Sequence, residues 1–334
     1  MRTVIGHRQA QSLLERAALG GQVSHAYLLT GPAGIGKTTL ACEFARLLQC
    51  TGRDPGSPEP CGACAACRKI AHGTHPDVAL VEPAQGKRFI DVDTVREVLR
   101  AANLAPSEGD YRIFILPEVE RMLPPAVNAL LKTLEEPPPH VVLVLTSAEP
   151  EQLLPTLLSR CQLIPLHPLA PEEIAAALIE RWGAEADTAR DLAALANGRL
   201  GWAVQALEQP DLLGQRADLL ASLAGLTGAP RAERIRQAGT LASDAEAARQ
   251  TLELWTLWWR DVVLAACGAT NLATTGEARA AAERQGRALG RERAQAFLQA
   301  LLDARAALDQ NANARLTFEV LMLDLPYLPV ARAR

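Results

Sequence analysis

The 334-residue sequence predicts an α/β fold, a parallel sheet with helices on both faces, followed by an all-helical remainder. Three observations carry that expectation. Strand-length apolar runs alternate with helix-length runs through about the first 165 residues, the pattern of a parallel sheet wrapped by crossover helices. Strand signals stop after Pro171. A glycine-rich loop, GPAGIGKT at 31–38, stands between a strand signal and a helix signal, the context in which such a loop cradles phosphate.

In chain order, AYLL at 26–29 reads as a short buried strand and 38–49 as the helix after the loop. Strands are expected at 77–82 (DVALVE), 111–116 (YRIFIL), 141–146 (VVLVLT) and 161–166, with helices at 93–103, 124–136 and 151–159. Three short alanine-rich amphipathic helices follow at 171–182, 186–196 and 201–207. Past Gln209-Pro210 only longer helices are expected, one of them N-capped by Ser243 and running to Cys267 with Trp255, Trp258 and Trp259 along it. A Trp cluster of this kind fits a bundle core or a subunit interface better than a base-stacking platform. The expected domains are 1–166, 167–208 and 209–334.

Each residue type in the loop has a mechanical reason. Gly31, Gly34 and Gly36 let the backbone turn tightly and bring N–H groups onto phosphate oxygens, and the helix opening at Lys37 adds its positive end. Lys37 would reach the outer phosphates and Thr38 would offer its hydroxyl to magnesium. With Thr39, these residues form the candidate ATP and Mg2+ set.

Cysteines supply a second motif. Cys50 closes the helix after the loop, and Cys61, Cys64 and Cys67 follow as CGACAAC after a Pro/Gly/Ser-rich stretch. Two residues between successive thiols let them face one ion, and Cys50 completes a tetrahedral structural Zn2+ site in the insertion at 50–67. A redox pair or free thiols is the alternative reading, and His72 or His75 could replace one ligand. Cys42, Cys161 and Cys267 are isolated and expected to be ordinary buried residues.

Composition narrows the class. With 49% hydrophobic and 22% charged residues the chain can bury real cores, and the net charge of −4 without a dense Lys/Arg run argues against a strong autonomous grip on DNA or anionic membrane. The first residues, MRTVIGHRQAQSLL, lack an apolar signal core, and no uncharged apolar stretch of about 18 residues occurs, so a cytoplasmic location is expected.

NALLKTLEEPP at 128–138, Ser159-Arg160-Cys161, the four-cysteine insertion and His25-Ala26-Tyr27 together resemble the bacterial replicative clamp-loader ATPases, with GTHPD at 73–77, VDTVRE at 92–97 and LTFEVLMLDLP at 316–326 in support. That resemblance implies an AAA+ domain, a small three-helix lid and a C-terminal helical collar. It also implies gamma/tau and delta-type partner subunits in a five-subunit ring, acting on the sliding clamp and primer-template DNA. Arg160 would project in trans into a neighbouring ATP site, although capping its own helix or pairing with a surface carboxylate is the plainer alternative.

Two departures from the motor pattern of that family resemble its non-motor, delta-prime branch. Pro117 stands where the motor carries its magnesium-binding aspartate, and Gly201 where it carries a sensor arginine; Glu118, the water-polarising position, survives. Hydrolysis needs several charges placed together around the transferred phosphoryl group, so a poor ATPase is expected. A motor subunit of the same ring and an unrelated phosphate-loop kinase or GTPase are the competing classes. Thr146 and Ser147 lie where a polar sensor is expected, and Lys132, Glu135 and Glu136 form a charged helix face.

Overall fold

The computed structural model describes residues 4–54, 57–83, 89–209, 211–269, 277–310 and 312–328, which fall into two compact units, Met1–Val204 and Gln205–Arg334. The first unit opens with α1 (Arg8–Leu19), β1 (Ala26–Thr30), α2 (Lys37–Gln49), α3 (Ala65–Ala71), β2 (Val78–Leu80), α4 (Val92–Ala102) and β3 (Arg112–Leu116). It continues with α5 (Pro124–Glu135), β4 (Val141–Ser147), α6 (Pro155–Leu158), β5 (Gln162–Pro165), α7 (Pro171–Trp182), α8 (Ala186–Ala196) and the start of α9 (Leu200–Glu208).

The strands form one parallel sheet in the order β2-β3-β4-β1-β5. Every residue of β1 and β4 is buried, whereas β2 and β5 expose most of theirs, as central and edge strands should. Side chains alternate between faces with a period of two, so each strand feeds two cores. Ala26, Leu28, Phe114, Leu116, Leu143 and Leu145 pack with Val95 and Val98 of α4 and Ala126, Leu130 and Leu134 of α5. Tyr27, Leu29, Ile113, Ile115, Val142 and Val144 pack on the other face with Leu14 of α1 and Leu40 and Phe44 of α2.

Expected and observed elements differ in identifiable places. The single helix expected at 151–159 is instead a 3-10 turn, Pro150–Gln152, and the four-residue α6. Pro155 forces its predecessor out of helical space, and Leu154 is extended at φ −60°, ψ 134°. The strand expected over 77–82 is assigned only over Val78–Leu80, although the Asp77 carbonyl still accepts the Ile113 N–H and the Val81 N–H still donates to Ile115 O, both at 2.8 Å. Neither α1 nor α3 was foreseen.

The second unit is all-helical: the remainder of α9, then α10 (Asp211–Gly228), α11 (Arg231–Leu241), α12 (Ala245–Ala266), α13 (Glu277–Asp309), kinked at Gly290, and α14 (Ala314–Asp324). The N-cap of α12 is Asp244, not Ser243; its carboxylate accepts the Ala247 N–H at 2.8 Å. Trp255 and Trp259 are fully buried and meet Phe318 and Phe297 edge-on, with ring centroids 6.1 and 4.6 Å apart. Their indole N–H groups donate to Leu219 O and Ala294 O, so burial leaves neither unpaired. Buried Arg234 donates to the carbonyls of Thr227, Ala229 and Leu325 and lies against the Tyr327 ring, tying the segment after α14 to the loop between α10 and α11.

Replacing Arg234 by Met should cost about 3 kcal/mol, since several charge-assisted bonds vanish and buried carbonyls lose their donor. Urea denaturation checks this value. Leu28→Ala, at the centre of β1, should cost about 2–5 kcal/mol by leaving a cavity the sheet cannot close.

Candidate nucleotide cradle and four-cysteine cluster

The glycine loop leaves the C-terminal end of β1. Gly31 adopts φ 142°, and a Cβ there would stand 2.5 Å from Leu166 O, so only glycine fits between β1 and the chain leaving β5. The Gly31 N–H donates to Ser147 O at 3.2 Å, fastening the loop to the end of β4. Lys37, only 7% exposed, turns back so that Nζ donates to Gly31 O at 2.6 Å and Pro32 O at 2.9 Å. Burial lowers its pKa, against the opposing pull of Glu120 and then Glu118. Thr38 is half-buried, and Thr39 is exposed on the first turn of α2.

Around the cradle one carboxylate of the motor pattern is absent and the other is paired locally. β3 ends at Leu116 and Pro117 follows it with no carboxylate. Glu118 takes a left-handed backbone conformation, φ 50°, and its side chain pairs with Arg121 at 3.1 Å. Thr146 and Ser147 are buried and act locally: Thr146 Oγ1 accepts the Glu118 N–H at 3.1 Å, and Ser147 Oγ accepts the Glu149 N–H at 3.1 Å. Glu120, which the sequence reading passed over, accepts the Ala148 N–H on Oε1 at 2.9 Å, while its Oε2 is buried without a partner.

At position 201 the first turn of α9 meets the loop through backbone alone. The Gly201 N–H donates to Gly34 O at 2.7 Å. A Cβ at 201 would stand 2.7 Å from that same oxygen, so an arginine could enter only if α9 shifted away from the loop.

Arg160 sits just after α6. It donates to Thr156 O at 2.9 Å and to Glu135 Oε1 at 2.7 Å, with 32% of its side chain exposed. Such an exposed pair is worth about 0–1 kcal/mol, too little to hold the guanidinium against a competing phosphate. Lys132, Glu135 and Glu136 form an exposed face of α5, whose Leu130 and Leu134 point into the core. The neighbouring Cys161 thiol is pushed up to about 11 by burial, which keeps it unreactive.

Cys50, Cys61, Cys64 and Cys67 bring their four sulfurs within 4.8 Å of one another. Backbone N–H groups of Cys61, Cys64 and Cys67 point at the sulfurs of Cys50, Cys61 and Cys64 at 3.3, 3.3 and 3.4 Å, which favours the thiolate at Cys61 and Cys64, whereas burial pushes the Cys50 and Cys67 thiols up. Burial pushes the Cys64 thiol up, but the N–H groups of Cys67 and Thr51 outweigh it and leave it at about 5. A convergent all-thiol donor set fits a tetrahedral soft-ligand site. His72 and His75 do not join it: His72 Nδ1 faces Arg68 O, and His75 Nδ1 accepts the Asp77 N–H. Of the three isolated cysteines, Cys42 and Cys161 are half-buried, and Cys267 is exposed rather than buried because it caps the end of α12.

Asp77 anchors the segment after the cysteine cluster. Its buried carboxylate accepts N–H groups from Ser107, Glu108 and Gly109 at 2.7, 2.7 and 3.2 Å, and Lys69 of α3 pairs with Glu108 at 2.6 Å. Burial pushes the Asp77 carboxyl up, yet the three N–H groups win and hold it below the usual range.

A five-stranded parallel sheet in this order, with a glycine loop after β1 and polar residues gathered at the strand ends, is the arrangement of an AAA+-type α/β fold. Residues 6–170 match the family model described as "DNA polymerase III, delta subunit", and over those residues the chain is similar to the bacterial clamp-loader AAA+ proteins. It is 46% identical over 145 residues to the DNA polymerase III subunit delta' of Pseudomonas aeruginosa, covering 43% of this chain and 44% of that one. It is 40% identical over 159 residues to subunit tau of Bacillus subtilis, covering 48% of this chain and 27% of that one. The chain thus spans less than half the length of these relatives. A solved gamma subunit-related protein from Thermotoga maritima aligns over 94% of this chain and 97% of that one, at 18% identity and TM-score 0.43. Among the described residues no helix is long and apolar enough to cross a membrane.

Asp77→Asn should lower stability at neutral pH by about 2 kcal/mol, from weakened charge-assisted bonds. Because the folded pKa is depressed, this stabilisation is present above the unfolded value near ~3.9 and is lost as pH falls through the folded one. Denaturation curves of the two proteins should therefore converge below about pH 4.

Proposed function

We propose that this chain is a non-motor, delta-prime-like subunit of a cytoplasmic bacterial clamp loader: a stator that donates Arg160 to a neighbouring ATP site while the assembly places the sliding clamp on primed DNA. The observation that carries this reading is the cradle's loss of motor groups, with Pro117 after β3 and the Gly201 backbone, not an arginine, against Gly34. In this reading 1–166 forms the AAA+ domain, 167–208 the lid and 209–334 the collar of a five-subunit ring shared with gamma/tau and delta-type subunits. Arg160, weakly tethered to Glu135 and partly exposed, is free to be recruited by a phosphate across a subunit boundary.

Gly31, Gly34, Gly36, Lys37, Thr38 and Thr39 would hold ATP and Mg2+. The inward-turned Lys37 fits an anionic ligand there, and the buried Oε2 of Glu120 fits a cation that such a ligand would bring. Bound nucleotide would act mainly as a structural ligand, stabilising the domain by linkage. Zn2+ in the Cys50, Cys61, Cys64 and Cys67 set would fold the 50–67 insertion and, with all four positions taken by thiolates, would leave no site for catalysis.

A motor role is the second reading, favoured by the complete glycine loop and the match to subunit tau. Reconstitution with gamma/tau- and delta-type subunits separates the two. Arg160→Ala should leave the ring assembled on gel filtration and slow DNA-stimulated ATP hydrolysis, by roughly 10³-fold or more at the site it serves. Loss after Lys37→Ala but not Arg160→Ala would support the motor reading instead. For the metal, elemental analysis should find one zinc per chain, absent from Cys64→Ser, whose melting temperature should fall sharply because such sites supply on the order of 10 kcal/mol of folding energy.

A further inference from the structure

The motor pattern has two carboxylate positions beside the phosphates, 117 and 118, and in this chain neither serves the cradle. Pro117 has no acid, and Glu118 is drawn to Arg121 with its side chain 38% exposed. Glu120, in the 3-10 turn Val119–Arg121, is directed differently. Its Oε1 accepts the N–H of Ala148, which pins the carboxylate at the C-terminal end of β4. The preceding residue, Ser147, lies in register with Thr30 of β1, and its carbonyl accepts the N–H of Gly31. Consecutive residues of one strand end thus hold Glu120 on one side and the first glycine of the loop on the other. Oε2 is buried and has no hydrogen-bond partner among the described residues. A buried carboxylate oxygen left in that state is costly, and a ligand would remove that cost. The electrostatics agree, since Glu120 acts on Lys37 more strongly than Glu118 does.

We propose that Glu120 is the carboxylate that serves the magnesium ion of a nucleotide bound in this cradle, using Oε2 in place of the aspartate missing at 117. Magnesium keeps several waters and is satisfied by one or two carboxylates together with substrate phosphates, so a glutamate reaching from three residues further along can meet it directly or through a water. Gly201 still supplies no second cation, so the arrangement supports magnesium-dependent binding without rapid hydrolysis. This inference rests on the reading that the cradle takes nucleotide, but not on the Arg160 role.

The test is equilibrium binding of ATP to the full chain in excess Mg2+ and in EDTA. The wild type should bind about tenfold more tightly with Mg2+, a difference of about 1.4 kcal/mol. Glu120→Gln, which keeps the oxygen that accepts from Ala148, should reduce that ratio to within about twofold of unity. Mn2+ should likewise be immobilised with ATP on the wild type and released in the variant, read by its paramagnetic resonance spectrum. If Gln lowers the nucleotide-free melting temperature, Glu120→Asp, which keeps the charge and shortens its reach, carries the same measurement. A Glu120→Gln protein that retains the full ratio would overturn the assignment. So would a wild type that binds no ATP or shows no magnesium effect, or a loss that follows Glu118→Gln and not Glu120→Gln. Ring assembly with partner subunits is scored separately, so failure here leaves the clamp-loader reading standing.

Discussion

Complete burial of β1 and β4 on both faces is the constraint from which the rest of the first unit follows. Strands that are apolar throughout can present polar groups only where they end, so Gly31, Ser147 and the groups bound to them collect at one edge of the sheet. The Gly31 N–H to Ser147 O bond joins the two strand ends and sets the distance between the loop and everything carried by β4. Thr146 and Ser147 are buried at that edge and spend their hydroxyls holding Glu118 and Glu149 in place, which makes the floor of the cradle rigid.

Electrostatic character at this edge is set by what was removed as much as by what was kept. Pro117, directly after β3, and Gly201, on the first turn of α9, bring no charge to this edge, while the inward-turned Lys37 brings one. Phosphoryl transfer depends on several such charges acting together, whereas binding needs fewer, so nucleotide recognition can outlast turnover. The four-cysteine cluster is a separate stabilising element, linked to the sheet through α3, Lys69, Glu108 and the Asp77 anchor.

Much of this was legible in the residues. The strand–loop–helix order around GPAGIGKT follows from apolar period and glycine placement, and β1, β3 and β4 appear within a residue of their expected bounds. The thiol spacing anticipated the observed convergence of four sulfurs, because two-residue separations on a short turn leave few alternatives. Illegible were features set by single local competitions: Pro155 breaking the helix expected over 151–159, the Asp77 carboxylate gathering three N–H groups, and Asp244 outcompeting Ser243 as cap. Glu120 gave no signal either. A glutamate in a turn of mixed polarity looks solvated until the strand end it touches is known.

The sequence by itself determined the α/β class, the parallel sheet and the strand–glycine loop–helix motif, because periodicity and motif spacing are local properties that a chain carries in any environment. Tertiary structure alone decided the strand order, the contact of Gly201 with Gly34 and the seating of the Glu120 carboxylate at the end of β4. Those depend on which strand ends become neighbours after folding, and hydrogen bonds between residues about 30 or more than 160 positions apart leave no trace in local composition.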